Sequence, residues 1–271
     1  MGLSQTKLEA VMQNQSLTQW YEKIADVVDN IGQATTEFEK LNPKPEGGFC
    51  NNPFDCVYDF EGDVAKLKKS LVGYVVDRTQ KSLCPNLKLD DGKIAEFVER
   101  TGFDAQAIED FIRTEFLPTA DNETVNQLLT QAKNLLPWVD NDGADLVGVH
   151  HKANKPTDIL SGKKVRLHAY LTSQYSFNRE KVRTYDGSAL ELRALEKIIQ
   201  IKLEGVGAQR ADSPVFNHLF RTYGEDAQRF FRLHKLNQDV IERVRAFKND
   251  NLDIEFKTEE QGQIIAELLT S

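Results

Sequence analysis

Between Leu17 and Leu41 the apolar or small residues Leu17, Trp20, Ile24, Val27, Ile31, Ala34, Phe38 and Leu41 recur at alternating intervals of three and four. Only a helix brings such positions onto one narrow seam, so this stretch must bury itself as one long helix against another helix. The helix should stop before Asn42-Pro43-Lys44-Pro45, because proline disfavours helical geometry in the residue ahead of it and has no amide to donate. Val64, Leu67, Leu71 and Tyr74 repeat the spacing and predict a second long helix. An antiparallel hairpin within the chain is the expected pairing. The alternative is a homodimer in which the first helix zips against its own copy, but the flanking charges show no complementary pattern that would select a partner chain. Between the seams Phe54, Cys56, Tyr58 and Phe60 alternate with Asp55, Val57 and Asp59, which reads as a short strand.

Three shorter amphipathic helices should follow. Ile94, Phe97 and Val98 form the first apolar face, closed at Gly102, and Ile108, Phe111, Ile112 and Phe116 form the second, stopped by Pro118. Val125, Leu128, Leu129, Leu135 and Leu136 form the third, opened by Asp121 or Asn122. The segment from Asn141 to Lys163, with Gly143, Gly148, Pro156 and Gly162, reads as a joint. A strand is expected from Val165 to Leu171 after the Ser161-Gly162-Lys163 turn. Ser188 with Glu191 predicts a capping box for a helix that Gly205 ends, and its apolar residues cover more than one face. Ser213-Pro214 opens another helix, with proline where no amide bond is lost.

Near the C-terminus Val244, Ala246, Leu252, Ile254 and Phe256 flank a run of turn residues and predict a hairpin. A two-residue loop would set Arg245 opposite Ile254. A three-residue loop, Asn249 to Asn251, instead pairs Val244 with Phe256, Ala246 with Ile254 and Arg245 with Glu255, and keeps one face apolar. Asn251 then takes the left-handed conformation, and Phe247 falls on the polar face at an unexplained cost. A last helix starts at Thr258, with Gln261 completing its capping box.

This ending, RVRAFKNDNLDIEF followed by a short helix, resembles an uncharacterised family of plasmid, prophage and bacteriophage proteins, a domain of unknown function. The family ends in a strand, a Phe-Lys-Asn-Gly-Asn turn, a Leu-x-x-x-Phe strand and a helix. Phe247, Lys248, Asn249, Asn251, Leu252 and Phe256 match, and Asp250 stands in place of the glycine. The likeness covers about the last thirty residues and is diffuse from Gly92 to Leu203. The resemblance implies a mobile-element or phage setting, often near DNA-modifying enzymes, and brings no catalytic residues.

Charge separates the two ends of the chain. Residues 1–150 hold 14 basic against 25 acidic side chains, a net of −11, whereas residues 151–235 hold 16 against 9, a net of +7. Basic residues stand beside aromatics in KKVRLHAY and RFFRLHK, a composition suited to a phosphate backbone and exposed bases. The expected DNA- or RNA-binding residues are Lys163, Lys164, Arg166, Arg179, Lys181, Arg183, Arg229, Arg232 and Lys235. The rival reading makes the acidic part a protein-binding inhibitor that imitates DNA toward a host defence or DNA-processing enzyme.

Asp253, Glu255 and Lys257 alternate along one strand and give a third reading, since a Glu-x-Lys with an upstream acid, here Asp239, is how many nucleases hold Mg²⁺. Other chemistry fails on spacing. Asp140, Asp142 and Asp145 lack the later ligands of a calcium loop, with His151 standing where its glutamate belongs. Gly205-x-Gly207 lacks the rest of a phosphate loop. Cys50, Cys56 and Cys84 are too few for a zinc site, His150, His151, His168, His218 and His234 have no ligand spacing, and no metal or cofactor is expected. There is no apolar run long enough for a membrane span and no secretory leader, so a cytoplasmic location is expected.

The fold class so predicted is mainly α with minor β. An acidic helical region over 1–140, containing the long hairpin, leads through a joint over 141–163 to a basic α+β region over 164–271.

Overall fold

The computed structural model of the 271-residue chain describes residues 5–41, 60–140, 150–169, 171–176, 179–184, 186–220, 231–236, 238–247 and 249–271. Helices dominate and strands are a minority, as the periodicities require. The chain divides into two compact units, one of Met1–Pro85 and Leu89–Thr119, the other of Asn86–Lys88 and Ala120–Ser271.

In the first unit α1 (Gln5–Leu41) ends at the residue ahead of Asn42-Pro43, and α2 (Phe60–Leu83) lies against it. The strand expected from Phe54 falls outside the described residues, save Phe60, which opens α2. Helix α3 (Asp91–Thr101) ends at Gly102, whose φ of 79° is left-handed, and α4 (Ala105–Glu115) follows with Asp104 as its N-cap. A buried polar knot ties α1, α2 and α4 together. The fully buried Asn14 donates to Glu109 Oε2 at 2.9 Å and to Gln106 Oε1 at 3.3 Å, and its side-chain carbonyl accepts from Arg78. Burial pushes the Glu109 carboxyl upward, but hydrogen bonds from Arg113 and Asn14 and the charges of Arg113 and Arg78 outweigh it and hold it below the usual range. The seam is only partly covered, for Trp20 and Val27 remain 49% and 56% exposed.

The second unit is built on a five-stranded antiparallel sheet. Its strands are β3 (Leu160–Ser161), β4 (Lys164–His168), β7 (His234–Lys235), β8 (Ile241–Ala246) and β9 (Asn251–Phe256), in the order β3-β4-β9-β8-β7. Val165, Leu167, Val244, Ala246, Leu252, Ile254 and Phe256 form its apolar face and join one core with residues of α5 (Ala120–Ala132) and α7 (Asp186–Leu203). The final helix α9 (Glu259–Thr270) opens with the Thr258–Gln261 capping box and adds Ile265, Ala266 and Leu269. Gly262 lets it approach β3, since a Cβ there would meet Leu160 Cδ1 at 3.2 Å.

Several expected boundaries move. Helix α5 starts at Ala120, not at an Asp121 or Asn122 cap, because it follows directly on a 3₁₀ turn at Leu117–Thr119. It packs on α7 and belongs with the second unit. The segment read as a joint contributes β2 (His150–Lys152), α6 (Pro156–Ile159) and β3, with Ala153 and Ile159 in the core. Strand β2 pairs with β1 (Trp138–Asp140). Helix α7 begins at Asp186, which leaves Ser188 buried inside the first turn and not at its cap, and it ends at Leu203, with Gly205 at φ 69° just beyond it. The buried Glu196 of α7 takes the place of an N-cap for α8 (Pro214–Phe220), accepting from Ser213 Oγ at 2.6 Å, Phe216 N at 2.8 Å and Val215 N at 3.0 Å.

Candidate nucleic-acid interface

Alternation along the strands puts every residue of the second unit's sheet on either the core face or the opposite face. The opposite face is charged in cross-strand rows. Lys164 of β4, Glu255 of β9, Arg243 of β8 and Lys235 of β7 form one row, and Arg166, Asp253 and Arg245 form the next. In each row the central strand supplies a carboxylate and its neighbours supply cations.

The pairing is tight. Arg166 donates to both Asp253 oxygens at 2.7 and 2.9 Å, Lys164 Nζ lies 3.5 Å from the same carboxylate, and Asp253 raises the Arg166 pKa further. Arg243 donates to Glu255 at 2.8 Å. Lys163 contacts Glu242 at 2.5 Å and Glu255 at 3.3 Å, and these two bonds raise the lysine pKa while the Lys163 bond draws Glu242 down.

The hairpin register differs from expectation by two residues. Val244 pairs with Ile254, Ala246 with Leu252 and Arg243 with Glu255, with a bulge between Ile241 and Arg243. A shift of two leaves every side chain on its predicted face, so the apolar pattern does not distinguish the registers. The turn does. Phe247 N bonds Asn251 O and Asp250 N bonds Phe247 O, so Phe247 faces Asn251 across the turn, and Asp250, not Asn251, takes the left-handed conformation with φ 62°. Arg245 consequently faces Asp253, and Arg243 takes the pairing with Glu255 that was expected of Arg245.

This register also accounts for Phe247 on the polar face. The guanidinium of Arg245 lies 4.8 Å from its ring centre and that of Arg166 5.7 Å, so the ring packs against two cations.

Of the nine expected binding residues, Lys163, Lys164 and Arg166 meet on this face beside acidic partners. Lys235 is exposed on the edge strand, and Arg232 is exposed just before it. Arg179, Lys181 and Arg183 lie on β6 (Arg179–Thr184), which pairs with β5 (Leu171–Ser176) as a separate two-stranded ribbon. Arg229 lies outside the described residues. Sequence reasoning missed Arg243, Arg245 and Phe247; an aromatic assigned to a polar face between Arg-x-Arg and a turn was the available signal.

The Asp253, Glu255 and Lys257 triplet does lie along one strand and its end, but Asp253 is held by Arg166 and Lys164, and Glu255 by Arg243 and Lys163. A divalent ion between those carboxylates would have to displace the cations already bound there. Among the described residues no group of three or more His, Cys, Asp or Glu is placed to hold a metal ion, and no helix is long and apolar enough to cross a membrane.

No protein-family model, curated protein or solved structure matches this chain.

Proposed function

We propose that the protein is a non-catalytic accessory protein of a phage or other mobile element that engages nucleic acid through its second unit. The observation that carries this reading is the charge surplus on and beside the polar sheet face. Lys163, Lys164, Arg166, Lys235, Arg243 and Arg245 stand there against Glu242, Asp253 and Glu255, and Arg166 and Arg245 are packed on Phe247. A surface with cations in excess attracts a polyanion, and guanidiniums steadied on a ring lose less freedom when they meet phosphate. The mobile-element setting rests on the C-terminal resemblance. It is supported by Asp250, which has a left-handed φ of 62° where the family places glycine.

Fluorescence anisotropy with labelled oligonucleotides at low salt tests the reading. Binding should fall linearly in log–log form with salt, and Arg245→Gln with Lys235→Gln should reduce the slope by about 0.9 for each phosphate no longer neutralised. Absence of binding to any nucleic acid at low salt would overturn it.

A further inference from the structure

We infer that the turn end of the polar sheet face is a platform for an unpaired nucleobase, so that the ligand is a single strand; the inference rests on the nucleic-acid function proposed above. His168 of β4 pairs directly with Asn251 of β9, and Phe247 faces Asn251 across the hairpin turn, so these three residues form a third cross-strand row on this face. All three keep partial contact with solvent. The row holds no carboxylate, in contrast to the two rows beyond it, where Asp253 and Glu255 stand between cations. The arginines of the neighbouring row lean over it. The guanidiniums of Arg245 and Arg166 lie 4.8 and 5.7 Å from the Phe247 ring centre, and both arginines are exposed. Aromatic rings and guanidinium planes are the surfaces on which bases taken out of a duplex stack, and a carboxamide such as that of Asn251 offers a donor and an acceptor to a base edge.

A duplex fits this face poorly. The row of Lys164, Glu255, Arg243 and Lys235 crosses four strands, whose backbones span about 14 Å, wider than a major groove of about 12 Å. A duplex can therefore meet the sheet only along its phosphate ridges, and there the carboxylates of the middle strand would face phosphate. A single strand avoids both costs. Its bases turn down onto the carboxylate-free row and stack on Arg245 and Phe247, while its phosphates reach exposed cations such as Lys235 on the edge strand β7. The Asn251 amide matches adenine N6 and N7, an edge that an unpaired base presents without a groove.

The test measures anisotropy of three labelled ligands of equal length with the full chain at one salt concentration: a mixed-sequence single strand, the same sequence as a duplex, and an abasic sugar-phosphate strand. Single strands of DNA and of RNA offer the same stacking surfaces, so both are run, and the tighter one identifies the sugar. The base-bearing single strand should bind at least about tenfold tighter than the duplex or the abasic strand. Arg245→Lys keeps the charge but loses the planar guanidinium, so the ratio of base-bearing to abasic affinity should fall about fivefold with the salt slope unchanged. Phe247→Leu should lower the same ratio about tenfold, with thermal unfolding establishing that both variants are folded at the assay temperature. Should the leucine variant fail to fold, the substitution at the exposed Arg245 decides alone. Equal binding of single strand and duplex, equal binding of the abasic strand, or an unchanged ratio in Arg245→Lys would overturn the inference and leave the nucleic-acid reading standing. A parent protein that binds none of the three ligands overturns both.

Discussion

Arg166 on β4 and Asp253 on β9 stand directly opposite one another and share two hydrogen bonds in the forked geometry of guanidinium and carboxylate. Asp253 is 8% exposed, so loss of the arginine leaves a buried charge with Lys164 as its remaining ion-pair partner among the described residues. The guanidinium itself is half exposed and partly screened. Arg166→Met should therefore cost about 1–2 kcal/mol in urea unfolding, and a double-mutant cycle with Asp253→Asn should show a coupling of about 1 kcal/mol. Strictly additive single effects would show that the pair contributes nothing.

Glu196 receives three hydrogen bonds that the start of α8 cannot satisfy within its own turn. Glu196→Gln keeps one acceptor oxygen, loses the charge facing the helix start and should lower stability by about 1–3 kcal/mol. Ser213→Ala removes one of the three donors and should cost about 1 kcal/mol by the same unfolding measurement. A Glu196→Gln variant as stable as the parent would show that this carboxylate is not the cap.

Glu109 gives the first unit an acid-sensitive term. Its folded carboxyl titrates below the ordinary range, so the unfolded chain takes up the proton first as the pH drops. The stability it supplies is present above the ordinary carboxylate pKa and is lost as the pH falls through the lowered value. Urea midpoints of the parent should decline more steeply through the acid range than those of Glu109→Gln. Parallel curves would remove Glu109 from the account.

Asp250 holds a left-handed turn conformation that costs an ordinary L-residue about 1–2 kcal/mol, against about 0.5–1 kcal/mol of extra chain entropy lost by glycine. Asp250→Gly should consequently be more stable than Asp250→Ala, by about 0.5–1 kcal/mol. Thermal unfolding of the two variants decides it, and an alanine variant equal to the glycine one would place the turn elsewhere.

Phe247 separates ring chemistry from simple burial. Phe247→Leu keeps an apolar side chain but removes the π-face under Arg166 and Arg245, and should cost about 1 kcal/mol at two contacts of about 0.5–1 kcal/mol each. Phe247→Tyr should be neutral. A stable leucine variant would show that the guanidiniums gain nothing from the ring.

Capping and turn chemistry made much of the architecture readable. Pro43 placed the end of α1, Gly102 and Gly205 closed two helices, Pro214 opened α8, and Thr258 with Gln261 opened α9. These signals are local, so sequence carries them whole. The register of β8 against β9 was not readable, because face alternation is unchanged by a two-residue slip. The β5–β6 ribbon escaped too, since Leu171–Ser176 and Arg179–Thr184 show little apolar alternation. Glu196 and Asn14 are polar residues inside helices, and their burial depends on partners far along the chain. At the candidate interface the lysines and arginines of β4 were legible as charges, but their acidic partners on β9 and β8 emerge only once the strands are paired.

The middle position of the five-stranded sheet belongs to β9, which follows both of its neighbours along the chain, with β4 on one side and β8 on the other. Until that segment emerges, neither flanking strand has its native neighbour there, and the core beneath them stays open to water. The central ladder therefore cannot form before β9 joins it, and a nascent chain halted before residue 251 would display two raw hydrogen-bonding edges to whatever chaperone or stray strand it meets.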